Sequence, residues 1–539
     1  MTTPSQPRWP NPGSDGRLKE KHLPAHLGQT NLNATYGLQA KTTGPVQDAL
    51  DAGAVGGLPV FVTPGTHTVT RTTSGDRRAL ASAAGTRISG LGTSSIVRLD
   101  TSEAPQASLS HFLLLGSTVD GVSDVTVEKI RAEINQRQIN RWSRIVSRQV
   151  ASDNSYCTVF TLGDHYLTVG DSIEIANAEL AALNGIKTVS EVLTPKSFRV
   201  TGASSSNKAV VTQGYDATVR LVGATGSIDG ITSIPNSLST KASENIFVRD
   251  CIINGTSNAV RATIIRAAES GVFHRNWLVQ NCRGRDFSNK VVEYGFVDGG
   301  KVIDSQFSGC ADGLQAIFWS RNIEFRGNRI GYYLSGINVT SGSHDVDIVN
   351  NLVEAEADAP KLLRGAALLL RTENTSGENY VSYNVRSRGN IYRNTVTDSR
   401  DVLAFSTLSA VASSEFRDLS FDHDTFDGAV RLYEQVTPAK TTIRGVRFTA
   451  CRIKTLVTVP YATSKVYDVV FRDCDFTDDV TVNASDVQFI DCRFAGGVTI
   501  SADASDIVMR GCTSATAIVN NGTGAVLEGN RVRPTYPRP

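Results

Sequence analysis

A short phrase of apolar and polar positions recurs along most of this chain: apolar, two residues, then Asn, Cys, Asp or Ser, one residue, then apolar. It reads Val248-x-x-Cys251-x-Ile253, Phe273-x-x-Asn276-x-Leu278, Val302-x-x-Ser305-x-Phe307, Phe325-x-x-Asn328-x-Ile330 and Ile348-x-x-Asn351-x-Val353. It continues through Ile391-x-x-Asn394-x-Val396, Phe421-x-x-Asp424-x-Phe426, Phe448-x-x-Cys451-x-Ile453, Phe471-x-x-Cys474-x-Phe476, Phe489-x-x-Cys492-x-Phe494 and Leu527-x-x-Asn530-x-Val532, with Met509-x-x-Cys512 a degenerate copy. The central residues step by 18 to 43 positions, and the step of 43 reads as two turns with one degenerate copy. The steps are mostly too short for helical repeats, and the segments between are rich in Val, Phe and Ile and broken by Asn, Asp and Gly. Val466–Phe471 and Asp486–Ile490 alternate like half-buried strands. Short coils stacked about 4.8 Å apart form a parallel β-helix, in which equivalent side chains line up in columns. An inward Asn column then forms a hydrogen-bonded ladder, and Cys fills the same slot as a small apolar residue.

The repeat divides the chain. Residues 1–40 carry irregularly spaced leucines in polar sequence, too little apolar surface for a domain, and read as an arm that orders against a partner. Residues 41–142 open the solenoid: a short helix around Thr43–Asp51 with Pro45 in its first turn, then Leu58–Val69, a strand, a Pro-Gly turn and another strand. The helix is expected to cap the open end, where strand edges and bare core would otherwise face water. Residues 143–220 interrupt the repeat with short strands around Gly-Asp and Asn-Gly turns, the hairpin signal. Residues 221–533 are the main β-helix, and 534–539 a Pro-Arg-rich coil.

Composition adds mostly exclusions. Formal net charge is +1 over 539 residues, with 40% apolar residues, so nothing draws the chain to nucleic acid or an anionic membrane. No apolar run approaches the about 18 residues of a membrane span, and the polar, Pro-rich start lacks a secretion-signal core. Of eight cysteines, five (251, 451, 474, 492, 512) sit in the repeating slot and three (157, 282, 310) look scattered. No Cys-x-x-Cys pair occurs, so the thiols read as reduced packing residues, and neither a metal site nor a cofactor is expected.

The start "Leu58-Pro-Val-Phe-Val-Thr-Pro-Gly-Thr-His-Thr-Val69" resembles the opening of pectate-lyase-superfamily β-helices, with His67 in place of the usual aromatic. The inserted module, His165–Ile175, Leu183–Val192 and Ser197–Val200, is similar to small β-barrels of phage tail and baseplate proteins. With Gly16-Arg-Leu through Leu32-Asn-Ala-Thr-Tyr-Gly37, the whole resembles minor tail proteins and tailspikes of tailed bacteriophages, particularly siphophages of actinobacteria. The resemblance implies a right-handed parallel β-helix with an N-terminal capping helix and an inserted barrel. It also implies a virion protein of the phage tail, commonly homotrimeric, that contacts other tail-tip proteins through the arm and recognises a host cell-surface glycan.

Chemistry is sparsely signalled. Glycoside hydrolysis by two carboxylates needs them about 5–5.5 Å or 6.5–9.5 Å apart, separations that stacked coils build readily. Counting seven residues on from the ladder gives Asp312 and Asp358, two coils apart with Ser335 between. Trp277, Tyr294, Trp319, Tyr332 and Tyr333 lie in the same coils and supply rings for sugar stacking. Most Asp here also suit turns, and Glu354–Asp358 reads first as a solvated edge. The Asn-Thr-Asp, Asp-Asp, Gly-His-Gly and Arg-x-Lys signatures of polygalacturonases are absent as a set. Three readings stay open: a glycan-binding tail protein, a polysaccharide depolymerase (hydrolase or lyase), and a structural tail-tip component.

Overall fold

The computed structural model describes residues 44–533 except 57–58, 71–77, 100–108, 118–119, 135–142, 162–164, 214–216, 224–226, 236–240, 265–271, 357–365, 373–378, 395–400, 408–412, 435–440 and 459–464. The N-terminal arm and the last six residues therefore lie outside the described part.

Fifteen coils stack into a parallel β-helix, and one strand from each forms a continuous fifteen-stranded parallel sheet. The remaining strands of each coil pair with their counterparts above and below to make two further faces. In coil 8, for example, the three strands are His344–Val349, Leu352–Ala355 and Ala366–Thr372. Connections between parallel strands of this kind are right-handed. Alternate residues of each strand point inward, so Val, Ile, Phe and Leu from successive coils merge into one core running the length of the stack. Phe421, Phe448, Phe471 and Phe489 stack face to face with centroids 4.6, 4.7 and 5.0 Å apart.

The ladder predicted from sequence is present, with two changes of register. Val279 pairs with Val248, which puts Cys282 rather than Asn276 in the slot. Leu352 pairs with Ile391, which puts Asn390 rather than Asn394 in the slot and makes the long step one coil instead of two. The column thus reads Cys251, Cys282, Ser305, Asn328, Asn351, Asn390, Asp424, Cys451, Cys474, Cys492, Cys512, Asn530. Each Asn Nδ2 donates to a carbonyl of the preceding coil: Asn328 to Val302, Asn351 to Phe325 and Asn390 to Ile348, all at 2.8 Å. The cysteine thiols donate in the same way, Cys451 to Phe421 at 3.4 Å and Cys474 to Phe448 at 3.5 Å. All eight cysteines are buried and unbridged.

A left-handed residue precedes each of the twelve slot residues: Asp250, Asn281, Asp304, Gly327, Asn350, Gly389, Asp473, Asp491, Gly511 and Gly529, with His423 and Ala450 as the two exceptions in residue type. Asn, Asp and Gly tolerate that conformation best, so the corner dictates the Asp-Cys, Asn-Asn and Gly-Asn pairs.

Helix α1 (Gly44–Gly56) packs on the first coil. Val46, Ala49 and Leu50 enter the common core, and the Gln47 amide bonds both backbone groups of Ala81, closing the N-terminal end. Coil 3 is interrupted between Arg131–Glu133 and Ser227–Ser233. There, strands Ser143–Val150, Cys157–Thr161, Ser197–Val200, Gly185–Thr194, Ser172–Ala176 and Thr218–Leu221 pair antiparallel in a closed ring. Ile145, Val159, Ile173, Phe198 and Val219 fill a core of its own.

Candidate functional site

The third-face strands of coils 3 to 7 turn polar side chains away from the core, and these are nonetheless buried. Arg261 of coil 4 bridges Asp229 of coil 3 at 3.1 Å and Glu293 of coil 5 at 2.9 Å, and Lys290 lies 3.5 Å from Glu293. Burial pushes the Asp229 carboxyl up, outweighing the help of Arg261. Burial acts on Glu293 as well, but Arg261 and then Lys290 outweigh it and hold its carboxyl low. The cluster therefore holds two carboxyls with opposed proton affinities, both engaged by one guanidinium, and it clamps three successive coils. Further along the same column, Gln315 is the register partner of Glu293 and Asn338 of Gln315. The Gln315 and Asn338 side-chain oxygens are buried without a hydrogen-bond partner.

Asp312 belongs to this face. It is the register partner of Lys290 and of Ser335, whose hydroxyl donates to it. Asp358 lies outside the described residues, so the pair with Asp312 is not on view.

The predicted aromatics divide. Trp277, Tyr294 and Tyr332 are core residues, at most 1% exposed, and cannot stack on a sugar. They sit at inward positions of their strands: the Trp277 indole N–H reaches the Ser243 carbonyl at 3.4 Å, and the Tyr294 hydroxyl donates to Lys301 at 2.9 Å. Sequence spacing placed them in the right coils without telling inward from outward. Tyr333 is half-buried, with its hydroxyl donating to the Phe287 carbonyl at 3.3 Å.

Trp319 lies elsewhere, at the corner where the third face turns into the first. The corner carries aromatic rings from coil to coil. Phe273 meets Phe296 at 6.3 Å, Phe296 meets Phe318 at 5.8 Å and Trp319 at 5.6 Å, and Trp319 meets Tyr380 at 5.2 Å. Beside them His344 stacks on Tyr383 at 4.6 Å. Phe273, Phe318, Trp319, His344 and Tyr383 are partly exposed, whereas Phe296 and Tyr380 are buried beneath them. Arg321 lies over Phe273 and Arg417 over Tyr383.

The backbone here is strained. Phe296, Phe318 and Trp319 have φ of 56°, 51° and 54°, a region bulky residues avoid at a cost of about 1–3 kcal/mol each. Hydrogen bonds between coils hold them there: Trp319 N–H to the Ser341 carbonyl at 3.1 Å, and His274 N–H to the Phe296 carbonyl at 2.8 Å. Gly342 leaves room for the indole, since a Cβ there would meet Trp319 Cδ1 and Nε1 at 3.1 Å. The sequence hint was the Phe-Trp pair placed where other coils have a small or polar corner residue.

Among the described residues, no group of three or more His, Cys, Asp or Glu could hold a metal ion, and no helix is long and apolar enough to cross a membrane. His165 is structural: Nε2 meets the Thr194 carbonyl at 3.0 Å and Nδ1 accepts the Leu167 N–H.

No protein-family model matches the chain, and no curated protein matches it in sequence. Solved structures do match in architecture. The A-module of the mannuronan C-5 epimerase AlgE6 of Azotobacter vinelandii aligns at TM-score 0.44 and 9% identity, over 92% of this chain and 96% of that one. The Streptococcus pneumoniae surface protein and adhesin PfbA aligns at 0.42 and 10%, over 92% and 97%. The pre-mature gene product 12 of bacteriophage phi29 aligns at 0.40 and 13%, over 90% and 55%.

Proposed function

We propose that this protein is a tail protein of a bacteriophage that binds a glycan of the host cell surface, with the aromatic corner at Trp319 as its contact. The observation that carries the glycan reading is the strained run of half-exposed rings. The partly exposed rings of Phe273, Phe318 and Trp319, set around the buried Phe296 at 6.3, 5.8 and 5.6 Å, offer faces on which an extended sugar chain can stack. The strain at Phe318 and Trp319 marks a position shaped for something other than stability. The Trp319 indole N–H donates no hydrogen bond within the described protein and is free to reach a sugar hydroxyl. The tail assignment rests on the sequence resemblance: the N-terminal arm, which would join other tail-tip proteins, and the inserted barrel. A homotrimer, as in the proteins it resembles, would present three such corners and multiply a weak contact.

The test is retention of purified protein on envelope polysaccharide from a panel of hosts, with released saccharide ends followed in parallel. Trp319→Ala is expected to lower affinity at least 10-fold while leaving the thermal transition in place. Retention unchanged by Trp319→Ala removes the corner from the reading. Release of ends from wild type would instead make the protein a depolymerase. In that case the Asp312 and Asp358 pair is the first to replace.

A further inference from the structure

One end of the aromatic corner opens into a cavity of about 550 Å³, lined among others by Val122, Lys241, Glu244, Phe273 and Arg275. Its wall is built by three successive coils in register: Ser123, Glu244 and Arg275 are successive partners on the first face. That column continues through Asp298 to Arg321. Arg321 pairs with Asp298 at 2.9 Å. Arg275, next to the same Asp298, has no ion pair or side-chain hydrogen bond among the described residues and stands exposed at the cavity. Exposed Lys241 adds a second cation. The described lining sets Arg275 and Lys241 against one carboxylate, Glu244. Phe273 and Val122 add apolar lining, and Phe273 is also the first ring of the aromatic corner.

We infer that this cavity selects an anionic sugar residue within the bound glycan, its acidic group at Arg275 and Lys241 and its ring face against Phe273. The inference rests on the glycan reading above and adds the chemical class of the ligand. A guanidinium bonds a carboxylate or a phosphate oxygen through two parallel N–H groups, and Arg275 is the cavity cation that lacks an ion-pair partner to give up first. Glu244 faces the remaining hydroxyls, which it can accept. The cavity and the rings follow one another along the axis, so a single extended chain reaches both.

The test compares full-length protein binding to oligogalacturonate, its methyl ester and poly(glycerol phosphate) by calorimetry at low and high salt. An anionic probe is expected to bind about 10-fold or more tighter than the ester, the effect of one charge-assisted contact. The advantage should shrink in 0.5 M salt, since the cations are exposed. Arg275→Gln should bring the ratio toward one, with an unaltered melting temperature showing that the coil is intact. Preference for oligogalacturonate assigns a carboxylate, and preference for poly(glycerol phosphate) assigns a phosphate. Equal binding of acid and ester, or a ratio that survives Arg275→Gln, overturns the inference and leaves the glycan reading standing. Absence of binding to every probe, together with absence of retention on host polysaccharide, removes both.

Discussion

Asp424 occupies a slot that asparagine fills in the three coils before it, and the exchange has a cost. Its Oδ1 accepts from Asn390 N–H at 2.7 Å and from Asn390 Nδ2 at 3.0 Å, as an asparagine carbonyl would. Its Oδ2 stands where the others carry an NH2 group, and it is buried without a partner. Burial pushes the carboxyl up to about 6, against the hydrogen bonds from Ser387 and Asn390. The folded chain therefore holds this proton more tightly than the unfolded one. The stability that comes from the neutral acid is complete below about 3.8, and it is lost as pH rises to about 6. Between those limits the loss is about 3 kcal/mol at 1.36 kcal/mol per pH unit. Asp424→Asn puts an amide donor in place of the bare oxygen. We predict that it raises the melting temperature at pH 8 and leaves it nearly unchanged at pH 4. His274, buried and pushed down to about 4 by that burial, imposes the opposite pH trend, so the variant must be read as a difference from wild type at each pH. A difference that does not vary with pH would show that Asp424 is ionised throughout.

At the scale of the coil, the repeat was legible because two constraints coincide at each corner. The left-handed residue is Asn, Asp or Gly in ten of the twelve coils of the column, and the next must be small or able to bond a carbonyl. The period and the fold class follow from that. Register failed where loops lengthened, since Asn276 and Asn394 mimic the phrase at positions that the pairing of Val279 and Ile391 displaces. Outward columns are harder to read because they need every coil in register at once. The Asp229, Arg261 and Glu293 clamp became visible only when three strands were aligned, and the corner rings at Phe296 and Trp319 adopt a conformation that propensity argues against. The clamp makes a specific prediction. Arg261→Met leaves the buried Asp229 without a cation and Glu293 with Lys290 alone, and should cost about 3 kcal/mol in urea unfolding. Replacing the set together, with Asp229→Leu and Glu293→Met added, should recover most of that loss. If the single variant is as stable as wild type, the carboxyls are protonated in the fold and the clamp contributes nothing.

Across the whole molecule, the question is whether the inserted barrel and the β-helix depend on one another. The barrel's entry and exit strands are direct neighbours: Ser143 pairs with Val219 and Arg144 with Thr218. Coil 4 shows how short the gap is on the coil side: Asn254, the partner of Glu133, is followed six residues later by Val260, the partner of Ile231, so a few residues span it. Its buried side chains form a cluster separate from the long core, so removing it strips no side chain from the coils. On the coil side, Ser227–Ser233 is held by its partners Leu109–Leu115 and Val260–Ala262, which remain. Loop closure by a short flexible linker adds little entropy cost. We therefore predict that replacing residues 143–221 with a short Gly-Ser linker preserves the main thermal transition and the β-sheet circular dichroism. It should abolish one separate, smaller transition, and residues 143–221 alone should unfold with that same transition. Because Gly121–Ser123 of coil 3 form part of the cavity wall, affinity for an anionic glycan is a sensitive gauge of whether the shortened coil keeps its place. Unchanged affinity with one transition lost would make the barrel an independent module. Loss of the main transition would mean that coil 3 needs the barrel to close.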